Sequence, residues 1–96
     1  MAGATDKNLL MAEISTLRHL VAQGAIKQTM IRPLGGKWAV WMQAPEASYL
    51  LATTRNKPRL FTTLETAAKT VRELGIGGAW IPLDEWHPNE NELPGV

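Results

Sequence analysis

The stretch IKQTMIRPLGGKWAVWMQ, residues 26–43, decides the fold predicted for this chain. Ile26 to Arg32 is rich in strand-favouring residues and stops at Pro33, which has no N–H to donate to a ladder. Leu34 to Lys37 contains two adjacent glycines, which readily adopt the positive φ angles of tight hairpin turns. Trp38 to Gln43 is then long enough for a return strand with alternating side chains. The stretch therefore predicts a β-hairpin.

The residues after the hairpin predict that an antiparallel meander continues. Pro45 to Ser48 favours a turn, and Tyr49 to Arg55 follows as a third strand. Asn56 to Pro58 favours another turn, after which Arg59 to Phe61 is expected to be a short return strand. Gly77 to Leu83 is expected to add a last strand.

Two helices are predicted. The first precedes the hairpin in the chain, and the second lies between residue 61 and the last predicted strand. Asp6 to Gln23 has an apolar stripe at helical spacing and ends before Gly24. The second helix begins at a capping box formed by Thr62 and Glu65 and ends at Gly75. The stripe of the first helix has two open interpretations, packing against the protein's own sheet or forming a homodimer surface. Its members are Leu10, Ile14, Leu17 and Val21.

The predicted fold class is α+β, with an antiparallel sheet of three to five strands and two helices in the order α-β-β-β-(β)-α-β. Ninety-six residues suit one domain, which we place at residues 1–83. Residues 84–96 are acidic and rich in Pro and Asn, so we expect a flexible tail there.

Composition excludes several classes of protein. The absence of cysteine rules out disulfides and thiolate metal sites and favours a reducing compartment. No apolar run is long enough to span a bilayer, and residues 1–6 lack a basic-then-apolar signal pattern, so we expect a cytoplasmic protein with no membrane partner. Serine, histidine and acidic residues form no catalytic or metal-binding motif. We therefore expect no enzyme, no cofactor and no metal.

Charge is unevenly distributed along the chain. Lys27 to Arg72 holds eight cations and two anions, a net charge of +6, whereas Glu73 to Val96 holds five anions and no Lys or Arg. Three cations surround the predicted turn at residues 56–58. A basic hairpin favours an anionic partner, such as DNA phosphate or an acidic protein surface, although charges at such a turn also discourage edge-to-edge aggregation.

The candidate partner-binding residues follow from this cluster and from strand alternation. Trp41 falls on the strand face opposite Trp38, so if the helices cover only one face of the sheet, either Trp38 or Trp41 is exposed and could stack on a base or anchor a protein contact. The complete set of predicted nucleic-acid or partner-binding residues is Lys37, Trp41, Arg55, Lys57 and Arg59.

The segment from Trp38 to Ile76, about two fifths of the chain, resembles small plasmid partition-associated proteins of the ParC type. The pieces that carry the resemblance are LATTR (residues 51–55), RLFTTLETAA (59–68) and LGI (74–76). The resemblance implies a non-enzymatic accessory protein of plasmid maintenance, acting beside a partition ATPase and a DNA-binding partition protein. The expected function is binding of DNA, or of a DNA-bound partition complex, through the basic hairpin. The alternative is a protein-interaction module or inhibitor with no nucleic-acid contact.

Overall fold

A computed structural model describes residues 9–87 of the chain. The strands are β1 (Leu9–Ala12), β2 (Gln28–Leu34), β3 (Lys37–Gln43) and β4 (Ser48–Leu51). The helices are α1 (Ile14–Ala22) and α2 (Leu64–Glu73), and a single 3-10 turn follows at Leu83–Glu85. The predicted α+β class with two helices is confirmed.

The four strands form one mixed sheet in the order β1-β4-β3-β2. The pairs β2–β3 and β3–β4 are antiparallel, as predicted, but β1 lies parallel to β4. The prediction of a purely antiparallel sheet is therefore wrong. The parallel pair joins segments that are far apart in the chain. Because such strands are not connected by a hairpin, no local turn signal in the sequence predicts their pairing.

The N-terminal helix is shorter than predicted, because residues 9–12 form β1. Helix α1 begins only after Glu13, whose backbone is extended. A short apolar run such as Leu9 to Met11 is compatible with either a strand or a helix. Here it forms a strand because it pairs with β4. Gly24 has a φ of 73°, the left-handed conformation expected just after a helix.

Two predicted strand boundaries also change. Strand β2 continues through Pro33, which pairs with Trp38 in the β2–β3 ladder. The proline is tolerated because the N–H of Ile31, two residues earlier, points away from β3 towards Trp80, and position 33 repeats that orientation. Strand β4 ends at Leu51, short of the predicted end at residue 55.

The predicted strands at residues 59–61 and 77–83 are present only as single bridges. Phe61 pairs with Trp38, and Trp80 pairs in parallel with Met30 at the outer edge of β2. Each segment follows a turn or loop containing Pro or Gly, and neither continues alongside its neighbour for a second bridge. The described sheet therefore has four strands, with one bridged segment at Trp80 beside β2 and another at Phe61 beside the start of β3.

Helix α2 begins one residue later than the predicted capping box. Thr63, rather than Thr62, is the N-cap, and its Oγ1 accepts a hydrogen bond from the N–H of Thr66 at 3.2 Å. Two adjacent threonines offer the same capping chemistry, and Thr63, whose backbone is extended, takes the role. Gly75 has a φ of 100° and ends the helix as predicted.

Both helices pack on one face of the sheet, with α1 against β4 and α2 against β3 and β2. The core lies between these layers. Its largest fully buried side chains are Leu17, Ile31, Val40, Met42 and Leu51.

The predicted dimerisation stripe does not form one exposed helix face. Leu17 is fully buried, and Ile14 and Val21 are partly buried against the same core. Leu10 lies on β1, not on a helix, and 49% of its surface is exposed. Packing on the protein's own sheet, one of the two interpretations, therefore accounts for the helical part of the stripe.

The first residues of the predicted flexible tail pack on the sheet. Glu85 forms a salt bridge with Arg32, and the ring of Trp86 lies 6.2 Å from that of Trp38. Two side-chain contacts that join distant parts of the chain thus hold the segment in place. Residues 88–96 lie outside the described residues, and for them a flexible tail stays a prediction.

Candidate functional site

The predicted basic turn is closed by a network of backbone hydrogen bonds centred on Thr53. The N–H of Thr53 donates to the carbonyl of Lys57 at 2.7 Å, and the N–H of Asn56 donates to the carbonyl of Thr53 at 2.9 Å. The hydroxyl oxygen of Thr53 also accepts from the N–H groups of Arg55 and Lys57 at 3.2 and 3.4 Å. Asn56 takes the left-handed conformation, with a φ of 62°, which asparagine tolerates well. The turn is therefore a defined platform for its side chains.

The cations of this turn and of the hairpin lie at the same end of the sheet. Arg55, Lys57 and Arg59 are all exposed. Lys37 is exposed too and is brought near them because its neighbour Trp38 is bridged to Phe61. Within residues 9–87 the ion pair found is Arg32–Glu85, so these four cations have no carboxylate partner there. This basic end, comprising Lys37, Arg55, Lys57 and Arg59, is suited to an anionic partner.

Trp41 is not freely exposed as the stacking hypothesis requires. Its side chain is half-buried, and the guanidinium carbon of Arg32 lies 4.8 Å from its ring centroid. Arg32 is held there by Glu85, with Nε to Oε1 at 3.1 Å and Nη2 to Oε2 at 2.8 Å. A base could stack on this side of the ring only by displacing Arg32. The sequence analysis did not predict that Arg32 covers the ring of Trp41, because Arg32 is held there by Glu85, which is 53 residues away in the chain.

The sheet face opposite the helices carries an apolar row that the sequence analysis did not find. Strand register places one residue from each strand side by side across the sheet, and the bridge at the β2 edge adds a fifth. In spatial order the apolar row is Met11, Leu50, Trp41, Met30 and Trp80. Recognising it requires the parallel β1–β4 pair and the Trp80 bridge, neither of which has a local signal.

The two ends of this row are exposed to solvent. Trp80 is 60% exposed and Met11 is 42% exposed, whereas Leu50 in the interior of the row is buried. Leu9 continues the exposed apolar surface along β1. The exposed residues therefore lie at the two edges of the row and are separated by its buried and half-buried interior. Exposed aromatic and methionine side chains are typical of binding surfaces.

A groove of about 400 Å³ lies between the start of β2 and the loop before Trp80. Lys27 and Thr29 line one side, and Gly77 and Gly78 line the other. Thr29 is buried and its hydroxyl oxygen has no hydrogen-bond partner, which is unfavourable for a buried polar group.

Replacing Thr29 by valine is expected to raise the free energy of unfolding by about 1 kcal/mol, because an unpaired hydroxyl is exchanged for a methyl of the same shape. Thr70→Val is the matched control. The hydroxyl of Thr70 donates to the carbonyl of Thr66 at 3.2 Å, so this variant is expected to lose about 0.5–1.5 kcal/mol. Urea unfolding of both variants gives the comparison. A loss of stability in Thr29→Val would show that its hydroxyl has a partner in solution.

Between residues 9 and 87, no group of three or more His, Asp or Glu side chains is placed to hold a metal ion. Over the same range, no helix has the length and apolar character needed to cross a bilayer.

Comparison of the chain with protein-family models, with curated proteins and with solved structures finds no match.

Proposed function

We propose that this chain is a small, non-enzymatic accessory protein of plasmid or mobile-element partition that acts in the cytoplasm. It binds DNA, or a DNA-bound partition complex, through the basic end. The observation that supports this most directly is the turn at residues 53–57, which is closed by four hydrogen bonds and presents exposed cations.

The chemistry of the basic end fits phosphate. Two arginines offer forked donors for oxygen pairs, while Lys37 and Lys57 supply compact charges. These four side chains are exposed and have no ion-pair partner among the described residues, so binding breaks no salt bridge there. The closed turn also limits the backbone entropy lost on binding.

The place of this binding in partition rests on the resemblance of residues 38–76 to ParC-type proteins. That resemblance suggests a partition ATPase or a DNA-binding partition protein as the neighbour. The basic turn falls within the similar segment.

Replacing Arg55, Lys57 and Arg59 together by alanine tests the proposal. The variant is expected to bind a short DNA duplex more weakly. The slope of log K against log salt should become shallower by up to about 0.9 for each phosphate that the variant no longer neutralises. Fluorescence anisotropy at several salt concentrations measures both quantities.

A control with the same loss of charge separates the turn from general electrostatics. Lys27, Lys69 and Arg72 are exposed cations outside the basic end, and their triple alanine variant should keep a clearly steeper salt slope than the turn variant. Each exposed substitution should change stability by no more than about 0.5 kcal/mol, which circular dichroism and urea unfolding check. Equal DNA binding by the wild type and a folded turn variant would remove Arg55, Lys57 and Arg59 from the mechanism.

The exposed side chains at the two ends of the apolar row, Met11 and Trp80, favour a second candidate function, a protein-interaction module with no nucleic-acid contact. In that case the wild type should not bind the duplex measurably, and the turn substitutions should slow association with an acidic protein partner. Loss of DNA binding in the turn variant, measured against the charge-matched control, would favour the first function.

A further inference from the structure

The groove beside the start of β2 lies where the segment before Trp80 separates from the sheet edge. Trp80 is joined to that edge by two backbone hydrogen bonds, from its N–H to the carbonyl of Thr29 at 2.8 Å and from the N–H of Ile31 to its carbonyl at 2.9 Å. Strand alternation directs the N–H of Thr29 to the same outer side as that of Ile31. Within the described part of the chain, no backbone bond joins this N–H to residues 76–79. It is therefore a donor available at the groove.

The side chain of Thr29 adds a second polar group at the same place. Only 4% of the surface of Thr29 is exposed, and its hydroxyl oxygen has no hydrogen-bond partner. Buried hydroxyl groups in folded proteins nearly always have a partner, so an unpaired one in a residue that lines a groove indicates a polar group supplied from outside the chain. The hydroxyl and the N–H can both donate to the oxygens of one ligand group.

The opposite wall of the groove has two glycines that the fold itself does not require. Neither Gly77 nor Gly78 has a positive φ angle, and a Cβ built at either position meets no atom within 4 Å. Backbone strain and internal packing therefore do not explain them. Glycine also occurs where the backbone must come close to a ligand, which is consistent with a binding site at this wall.

Charge and apolar lining determine the class of ligand. Lys27 is the charged residue that lines the groove, and it is exposed and without an ion-pair partner in residues 9–87. Ile26, Ile76 and Trp80 provide apolar walls, and Trp80 is 60% exposed. One ammonium group beside two donors matches the single charge of a carboxylate, whereas a phosphate monoester would bring about two charges to one cation. A volume of about 400 Å³ is in the range of small-molecule sites.

We propose that this groove binds a small monocarboxylic acid with an aromatic or branched apolar body. The carboxylate accepts hydrogen bonds from Thr29 and pairs with Lys27, and the apolar body lies against Ile76 and Trp80. The site is at the end of β2 remote from the hairpin turn and Lys37. It is therefore separate from the basic end and does not depend on DNA binding.

Titration of the full chain with phenylacetate, indole-3-acetate and isovalerate, followed by amide NMR, tests the proposal. At least one acid should shift the amide signals of Thr29, Gly77 and Gly78 in a saturable way, with a Kd of about 1 mM as expected for ligands of this size. The neutral isostere phenylacetamide should bind at least about tenfold more weakly than phenylacetate, and inorganic phosphate should leave these signals unchanged. If no acid binds below about 10 mM, the groove holds water only and the proposal is wrong. Equal binding of the amide, or tighter binding of phosphate, would also overturn it.

Lys27→Met removes the charge at the groove while keeping a side chain of similar length. Its Kd for the acid should rise about tenfold, because the carboxylate loses its ion pair. Lys69→Met is the matched control, since Lys69 is an exposed cation on α2 that does not line the groove. Equal weakening in both variants would mean that the acid responds to overall charge, not to this site.

Thr29→Val and Thr29→Ser test the buried hydroxyl. The valine variant should bind the acid at least about fivefold more weakly while being more stable than the wild type, because it loses a donor to the ligand and also an unpaired buried group. The serine variant keeps the hydroxyl and should bind like the wild type. This opposite movement of binding and stability would not result from structural damage. Valine and wild-type chains that bind the acid equally well would exclude the hydroxyl of Thr29 and overturn the proposed site.

Discussion

Replacing Leu17 by alanine is expected to lower the free energy of unfolding by about 2–5 kcal/mol. Leu17 is the buried residue of α1, and no part of its surface is exposed. The other core contacts of α1, at Ile14, Leu20 and Val21, are only partly buried, so Leu17 should contribute most to its attachment. Domains of this size have total stabilities of about 5–15 kcal/mol, so the variant should lose a large fraction of its stability.

Urea unfolding followed by circular dichroism and tryptophan fluorescence measures this loss. Leu10→Ala is the control, because Leu10 is half exposed at the sheet edge and its truncation removes little buried area. A loss below about 1 kcal/mol for Leu17→Ala would mean that α1 is not anchored on β4 through this residue.

Trp38→Ala is expected to cost about 3–5 kcal/mol. Only 9% of the surface of Trp38 is exposed, its ring contacts the ring of Trp86, and its backbone exchanges two hydrogen bonds of 2.8 Å with Phe61. Loss of the ring should destabilise the core and also release the 3-10 turn at Leu83–Glu85. Hydrogen exchange at the Trp86 amide, which donates to the carbonyl of Leu83, reports that release.

Trp86→Ala separates these two effects. Trp86 is 45% exposed, so its truncation should cost less than half as much stability as the loss of Trp38, while freeing the same 3-10 turn. If both variants lost the same stability, the 3-10 turn would be an integral part of the core. If neither variant changed exchange in residues 83–86, the contact between the two rings would not be what holds this turn.

The parts of the fold that the sequence predicted correctly are those specified by neighbouring residues. The β2–β3 hairpin turns at Gly35 and Gly36, and both have positive φ angles as the adjacent glycines indicated. The end of α2 at Gly75 was also predicted from a local glycine, and Gly75 has a positive φ angle as well. Local backbone preference is enough for these features, because the residues that determine them are adjacent in the chain.

The parts that could not be predicted depend on pairing between distant residues. The apolar run at residues 9–12 becomes a strand only because β4 offers it a free edge. Trp80 joins the row through one bridge to Met30, which no periodicity in its own segment indicates.

The candidate site shows the same division. The basic turn was located by its charges and turn residues, whereas the covering of Trp41 by Arg32 needed the contact with Glu85. Sequence reasoning therefore found the cations but could not establish which tryptophan is open to a partner.

The parallel pairing of β1 with β4 also has a consequence for the order in which the chain folds. Leu9 pairs with Ser48, 39 positions further along, whereas β2, β3 and β4 follow one another through short turns. Closing the longer loop costs more chain entropy before any contact compensates for it. The three antiparallel strands can thus assemble early as a local unit, and β1 adds last to an edge already formed. The row containing Met11 is complete only after that final step.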